Sequence, residues 1–121
     1  MKHALPTIQL KRVYDDPDPS DGFRVLVDRL WPRGLSREHA KVDAWPKDVA
    51  PSTDLRRWFH RDREQWDEFR KRYTAELADN PALKDLQTEV RKHKHVTLVY
   101  GSKDAEHNHA IVLRDAITRI K

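Results

Sequence analysis

Cysteine is absent from the 121 residues, and glycine occurs only three times. Without a thiol the chain has no disulfide framework, no thiolate nucleophile, no cysteine-ligated zinc and no iron–sulfur cluster. With so little glycine, Gly22, Gly34 and Gly101 each mark a place where the backbone needs unusual freedom or room. Long apolar runs are missing too: nothing approaches the ~20 residues of a membrane span. The opening residues, MKHALP, carry no apolar signal core, so a cytoplasmic location is expected. One compact domain over residues 1–121 is expected at this length. Several site signatures are also missing: no GxxxxGK phosphate loop, no His-Glu-x-x-His pair and no Gly-x-Ser-x-Gly elbow.

Charge is what the chain has in abundance. Lys and Arg number 24 against 20 Asp and Glu, a formal net charge of +4. Residues 1–60 hold 11 basic and 9 acidic side chains and residues 61–121 hold 13 and 11, so each half is +2 and no basic arm exists. Alternating signs around Asp62, Arg63, Glu64, Asp67, Glu68, Arg70, Lys71 and Arg72 read as a solvated helix face. Nucleic-acid binding is therefore an alternative rather than the leading function, since overall basicity speaks first to solubility. Four tryptophans and clear periodicity mark a folded chain.

Residues 7–14 (TIQLKRVY) alternate as a strand, and residues 15–22 (DDPDPSDG) form a loop. Its aspartates Asp15, Asp16, Asp18 and Asp21 read as turn chemistry, with a hard-cation site as the other possibility. Residues 23–31 (FRVLVDRLW) contain the run Val25, Leu26, Val27, which suits a strand covered on both faces. Pro32, Arg33 and Gly34 stop it; Ser36 caps a short turn, and Pro46 and Pro51 keep residues 42–51 irregular. Ser52 or Thr53 caps a short helix to about Phe59. Asp62 and Gln65 resemble a capping box opening a helix with the stripe Trp66, Phe69, Tyr73, Leu77. Asn80-Pro81 starts another, with Leu83, Leu86 and Val90 inward and Arg91, Lys92 and His93 in its last turn. Residues 96–100 (VTLVY) are a buried strand, and a last helix is predicted from about Ala105 to Ile120, with Ala110, Leu113, Ile117 and Ile120 inward. Trp45, Trp58 and Trp66 belong to apolar faces and read as core. The pattern predicts an α/β fold: a small, mainly parallel sheet flanked by helices. The long helical connection makes the second and third strands parallel. The first connection is short for a parallel crossover, which leaves the first strand's direction open.

Ligands of α/β sheets gather beyond the carboxyl ends of the strands. Two loops qualify: residues 28–34, with Arg29, Trp31, Arg33 and Gly34, and residues 101–108, with Gly101, Ser102, Lys103, Asp104, His107 and Asn108. In the second, a glycine allows a tight turn, amides at a helix start favour an anion, Lys103 adds charge and Ser102 a hydroxyl. Arg29 or Arg33 can grip a carboxylate or phosphate with two parallel hydrogen bonds. His107, in the expected first helical turn, can act as acid or base; Asp104 orients it or caps the helix. The structural alternatives stand beside these: Lys103 and His107 as plain surface, and Arg29 as the buried partner of Asp28 or of a nearby loop aspartate. His107 and His109 are two apart on the expected helix, face different ways and make poor joint metal ligands. No metal set and no cofactor is named by the sequence.

Read together, VLVDRLWPRGL (residues 25–35), APSTDLRRWF (residues 50–59) and LVYGSKDAEHNHAIVL (residues 98–113) resemble the YeaO-like branch of the family called domain of unknown function 488. The resemblance runs from residue 11 to about residue 113, and VDRLWPRG and Lys-Asp-x-x-His-Asn are its most specific strings. It implies an α/β fold whose second-strand and last-strand loops face each other. Members of the family often carry His-Asp after the Trp-Phe of the short helix, with one residue before the His; here Trp58-Phe59-His60-Arg61-Asp62 puts Arg61 where that His would stand, with His60 beside it. Larger members place Cys-His-Arg at the start of the last helix, where this chain has Asn108-His109-Ala110, so thiol chemistry does not carry over. The expected function is binding of a small anion, with the possibility of an enzyme acting on a phosphorylated or nucleotide-like molecule. Arg29, Arg33 and Lys103 would then hold charge, while His107 and Asp104 handle a proton. The alternative is a nucleic-acid-binding or partner-binding regulatory module without catalysis.

Overall fold

The computed structural model describes residues 6–119. Three parallel strands form its sheet in the order β1-β3-β2: β1 (Thr7–Arg12), β2 (Phe23–Leu26) and β3 (His95–Tyr100). The helices, in chain order, are α1 (Arg37–Ala40), α2 (Thr53–Arg61), α3 (Trp66–Ala78), α4 (Pro81–Val90) and α5 (His109–Thr118). None of the described helices is long and apolar enough to cross a membrane.

The direction left open by the sequence is parallel, and the reason is topological. β1 and β2 do not pair with each other; β3 lies between them, with Leu98 opposite both Leu10 and Val25. The link 13–22 therefore returns across the sheet without a helix. Asp21 fastens it: its carbonyl accepts from Thr97 Oγ1 at 2.7 Å on β3, and its carboxylate takes Lys11 of β1 at 3.1 Å and Arg24 of β2 at 2.6 Å. The aspartate-rich loop is thus turn chemistry, with Asp18 capping a short 3-10 turn, Pro19–Asp21. Burial pushes the Asp21 carboxyl up, but the Asp18 amide and the Lys11 and Arg24 cations outweigh it and hold it below its usual range.

Strand pleat sorts the side chains between two faces. Val25, Val27, Val96, Leu98 and Tyr100 meet the helices α2–α5 in the larger core. Leu26, Val99 and Val13 point the other way, into a smaller cluster covered by Trp31, Leu35, Val42 and Trp45. That second cover is loop rather than helix, and residues 43–44 also run beside β2, with the Leu26 amide donating to Ala44 O at 2.9 Å. The sequence's continuous Val-Leu-Val run is explained by burial on both sides. Trp58 and Trp66 pack on the larger core and Trp45 on the smaller, as their apolar settings predict.

Several boundaries move. β2 ends at Leu26 rather than Trp31, although Val27 still donates to Val99 O at 3.1 Å. Asp62 does not open α3; it ends α2, and α3 starts behind Gln65 with no side-chain cap. Ser52, not Thr53, caps α2, accepting from the Leu55 amide. Residues 91–93 lie beyond the end of α4, where His93 stacks on Phe23 at 3.9 Å between ring centroids. The inward place expected for Ile120 falls outside the described residues.

Candidate functional site

β2 and β3 run in parallel, so the chain leaves both at one edge of the sheet, and the two predicted loops do meet there. Asp28, Arg29 and Leu30 from the first, and Ser102, Lys103, Asp104, His107 and Asn108 from the second, line one cleft of about 660 Å³. The third contributor is α2, which adds Arg56, His60 and, just past its end, Arg63.

The rest of the first loop goes elsewhere. Trp31 folds onto the opposite face of the sheet, its indole donating to Leu35 O at 2.6 Å. Arg33 is exposed, and its carbonyl accepts from the Tyr14 hydroxyl at 2.8 Å beside the end of β1. Gly34 sits at φ 76 with open space around it, serving the backbone turn. Trp31, Arg33 and Gly34 therefore do not line the cleft. The loop divides at residue 30, where Trp31 finds cover for its apolar surface on the cluster of Leu26 and Val99.

Arg29 lines the cleft, but most of its donors face inward. Its Nη2 donates to Ala50 O at 3.2 Å and, with Nε, to Pro51 O at 3.4 Å. Its partners are thus the backbone leading into α2 and, at 3.9 Å from Nη1, the carboxylate of Asp48, the nearby aspartate that the sequence allowed, rather than Asp28. Asp28 turns the other way: Oδ2 accepts the Gly101 amide at 2.9 Å, and Oδ1 lies 2.9 Å from His109 Nε2. That ring nitrogen makes its hydrogen bond to Val27 O at 3.1 Å, leaving Oδ1 buried beside the imidazole without a hydrogen bond of its own. Gly101 does not line the cleft; it lets Asp28 approach, because a Cβ there would stand 2.8 Å from Oδ2.

The helix start differs from expectation. α5 begins at His109, so Asp104 and His107 belong to the loop before it. Two caps stand in series. Asp104 Oδ1 accepts the Glu106 and His107 amides at 2.9 and 3.0 Å, and the buried Asn108 Oδ1 accepts those of Ala110 and Ile111 at 3.0 and 3.3 Å. These amides are occupied, so they do not form the open anion nest that a helix start suggests. Because His107 precedes the helix, it and His109 line the same cleft, contrary to the different-faces expectation. No group of three His, Asp or Glu side chains able to hold a metal occurs among the described residues.

Asp104 is the electrostatic hinge of the rim. Burial raises its pKa, but the Glu106 and His107 amides, the His107 ring and Arg63 together bring it below the ordinary carboxylate range. Arg63 reaches across from beyond α2 to donate to His107 O at 3.1 Å and lies 3.4 Å from Asp104 Oδ2. Arg56 and Lys103, by contrast, have no ion-pair partner among the described residues. Sequence reasoning missed Arg56 and Arg63 because they sit on segments with no anion signature. His60 it had singled out only as a neighbour of Arg61; the cleft takes His60 and not Arg61.

A small parallel α/β sheet with a cation-rich cleft at its carboxyl edge is the class these features define. The chain belongs to the domain of unknown function 488 family: it matches the model described as "Inactive DUF488-N3 subclade" over residues 7–120. It is 44% identical over 108 residues to "Uncharacterized protein YeaO" of Escherichia coli strain K12, covering 89% of this chain and 94% of that one. To "Uncharacterized protein Rv3073c" of Mycobacterium tuberculosis strain H37Rv it is 45% identical over 106 residues, 88% of this chain and 89% of the other. No solved structure matches the chain.

Proposed function

We propose that the chain is a binding module for a small anion, a phosphate or carboxylate, and that it holds this ligand without turning it over. The observation that carries this is a pair of cations with no ion-pair partner among the described residues, Arg56 on α2 and Lys103 on the loop after β3, in a cleft that also holds His60. Four Lys and Arg against two Asp line it, so the surplus there is positive. Side chains, not helix amides, would grip the ligand, since Asp104 and Asn108 occupy those amides. Arg29 helps by field more than by contact, its Nε and Nη2 being turned to Ala50 and Pro51.

Two of the groups at the cleft support binding without chemistry. A general base working near neutral pH needs a pKa near neutrality. Asp104 is driven the other way and is tied to two amides and a guanidinium. Asn108, which stands where larger members of the family carry cysteine, is a buried amide used as a helix cap and offers no nucleophile. The word "inactive" in the description of the matched subclade supports the same conclusion.

Thermal denaturation with inorganic phosphate, nucleoside monophosphates and dicarboxylates tests this. A ligand at 100 times its dissociation constant adds ~2.7 kcal/mol of stability. We expect at least one of these anions to raise the melting temperature of the parent. The double variant Arg56→Ala, Lys103→Ala should lose that rise while its ligand-free stability stays within about 0.5 kcal/mol, as for exposed sites. A variant that responds like the parent, or a parent that responds to none of the anions, refutes the proposal.

A further inference from the structure

We infer that the anion this cleft accepts carries an aromatic ring, as in an aryl phosphate; the inference rests on the anion-binding reading above and adds the body of the ligand to its charge. The cleft, at about 660 Å³, is of drug-sized capacity, far larger than a bare oxyanion needs. Its cations occupy only part of the lining. Leu30, Pro51, Phe59 and Phe69 form an apolar wall beside them. Leu30 stands 64% exposed at that wall, and it and Tyr14 are the exposed large hydrophobic side chains among the described residues. Phe59 and Phe69 are themselves buried, so Leu30 is the large apolar side chain of this lining whose exposure a ligand would remove.

A ring is favoured over an alkyl tail by the way that wall ends. Phe69 stacks on Phe59 with 4.3 Å between centroids, and the guanidinium of Arg63 lies 4.7 Å over the Phe59 ring. The pile of planar groups thus terminates in Arg63, which lines the cleft and whose side chain is 42% exposed. Its bonds to His107 O and Asp104 fix it against the loop that follows β3. A planar guanidinium held in one orientation is a stacking platform for an aromatic face. With Leu30 in the same lining and Arg56 and Lys103 free for the charged end, the cleft presents flat, apolar and cationic surfaces together.

Isothermal titration of the full chain with inorganic phosphate, phenyl phosphate and butyl phosphate distinguishes the possibilities. Phenyl phosphate should bind at least about tenfold more tightly than inorganic phosphate, the gain that removing one leucine-sized apolar surface from water supports, and more tightly than butyl phosphate. Leu30→Ser should weaken phenyl phosphate several-fold and leave inorganic phosphate unchanged; Arg63→Lys, which keeps charge without the plane, should weaken phenyl phosphate more than it weakens inorganic phosphate. If Arg63→Lys fails to fold, Leu30→Ser carries the test, because its side chain already lies in water. Equal affinity for phenyl phosphate and inorganic phosphate overturns the inference and leaves the anion reading standing. Equal affinity for the phenyl and butyl esters overturns the ring. Failure of all three to bind overturns the anion reading itself.

Discussion

Asp28 illustrates how one side chain couples the two loops of the cleft. Its Oδ2 holds the Gly101 amide at the end of β3, its Oδ1 sits against His109 at the start of α5, and its carbonyl accepts the Trp45 indole at 2.7 Å. Three segments distant in sequence therefore share one residue. The arrangement depends on the missing Cβ at position 101, where an added methyl would meet Oδ2 at 2.8 Å. Gly101→Ala should displace the carboxylate and cost about 1–3 kcal/mol, the usual penalty for overpacking a filled site. Urea denaturation measures it, and parent-like stability would show that Asp28 can move aside freely. The sequence marks Gly101 as special but assigns it to turning. Its true reason, close approach by a residue 73 positions away, has no local signature.

At the scale of elements, the last helix and its approach are governed by two short polar side chains. Asp104 and Asn108 are both strong cap formers, and sequence alone favours the first because it follows the glycine turn. The structure uses both, four residues apart, and α5 starts only after the second. Asn108 is buried, with its amide nitrogen donating to Asp104 O at 2.8 Å, so it fixes the loop as well as the helix. Asn108→Ala should cost about 1–2 kcal/mol and speed amide hydrogen exchange at Ala110 and Ile111. Unchanged exchange at those two amides would place the true cap elsewhere. The Asn80 cap of α4 is legible in the sequence because Pro81 fixes the first turn behind it, whereas at α2 the sequence leaves Ser52 and Thr53 open and the structure chooses Ser52.

For the molecule as a whole, the polar knot around Asp21 is the device that joins all three strands. Lys11, Arg24 and Thr97 come from β1, β2 and β3, and the Arg24 guanidinium continues to Ala40 O at the end of α1 with a 2.8 Å bond. Removing one charge from such a buried set strands the others, so Asp21→Asn should cost about 3–5 kcal/mol. The pH dependence has a definite sign. The folded-state pKa of Asp21 lies below its unfolded value. Its stabilisation is therefore complete above that unfolded value, about 3.9, and is lost as pH falls through the folded one. Urea midpoints taken from pH 6 downward should hold level and then fall in acid for the parent, with the gap to Asp21→Asn narrowing as they do. A gap that stays constant into strong acid would assign the variant's cost to packing instead of charge.

Periodicity and turn chemistry were enough to define the three strands and the helices α2 to α4, because each depends on residues near one another in the chain; the parallel pairing of β2 with β3, and so the edge where their loops meet, followed from the long helical connection between them. The family was likewise legible, carried by contiguous strings such as VDRLWPRG. Tertiary structure alone decided that β3 lies between β1 and β2, that Trp31 crosses to the far face, and that α2 brings Arg56 and His60 to the cleft. Those outcomes rest on which apolar surfaces find cover and which polar groups find partners across long sequence separations, a competition settled only when the whole chain packs.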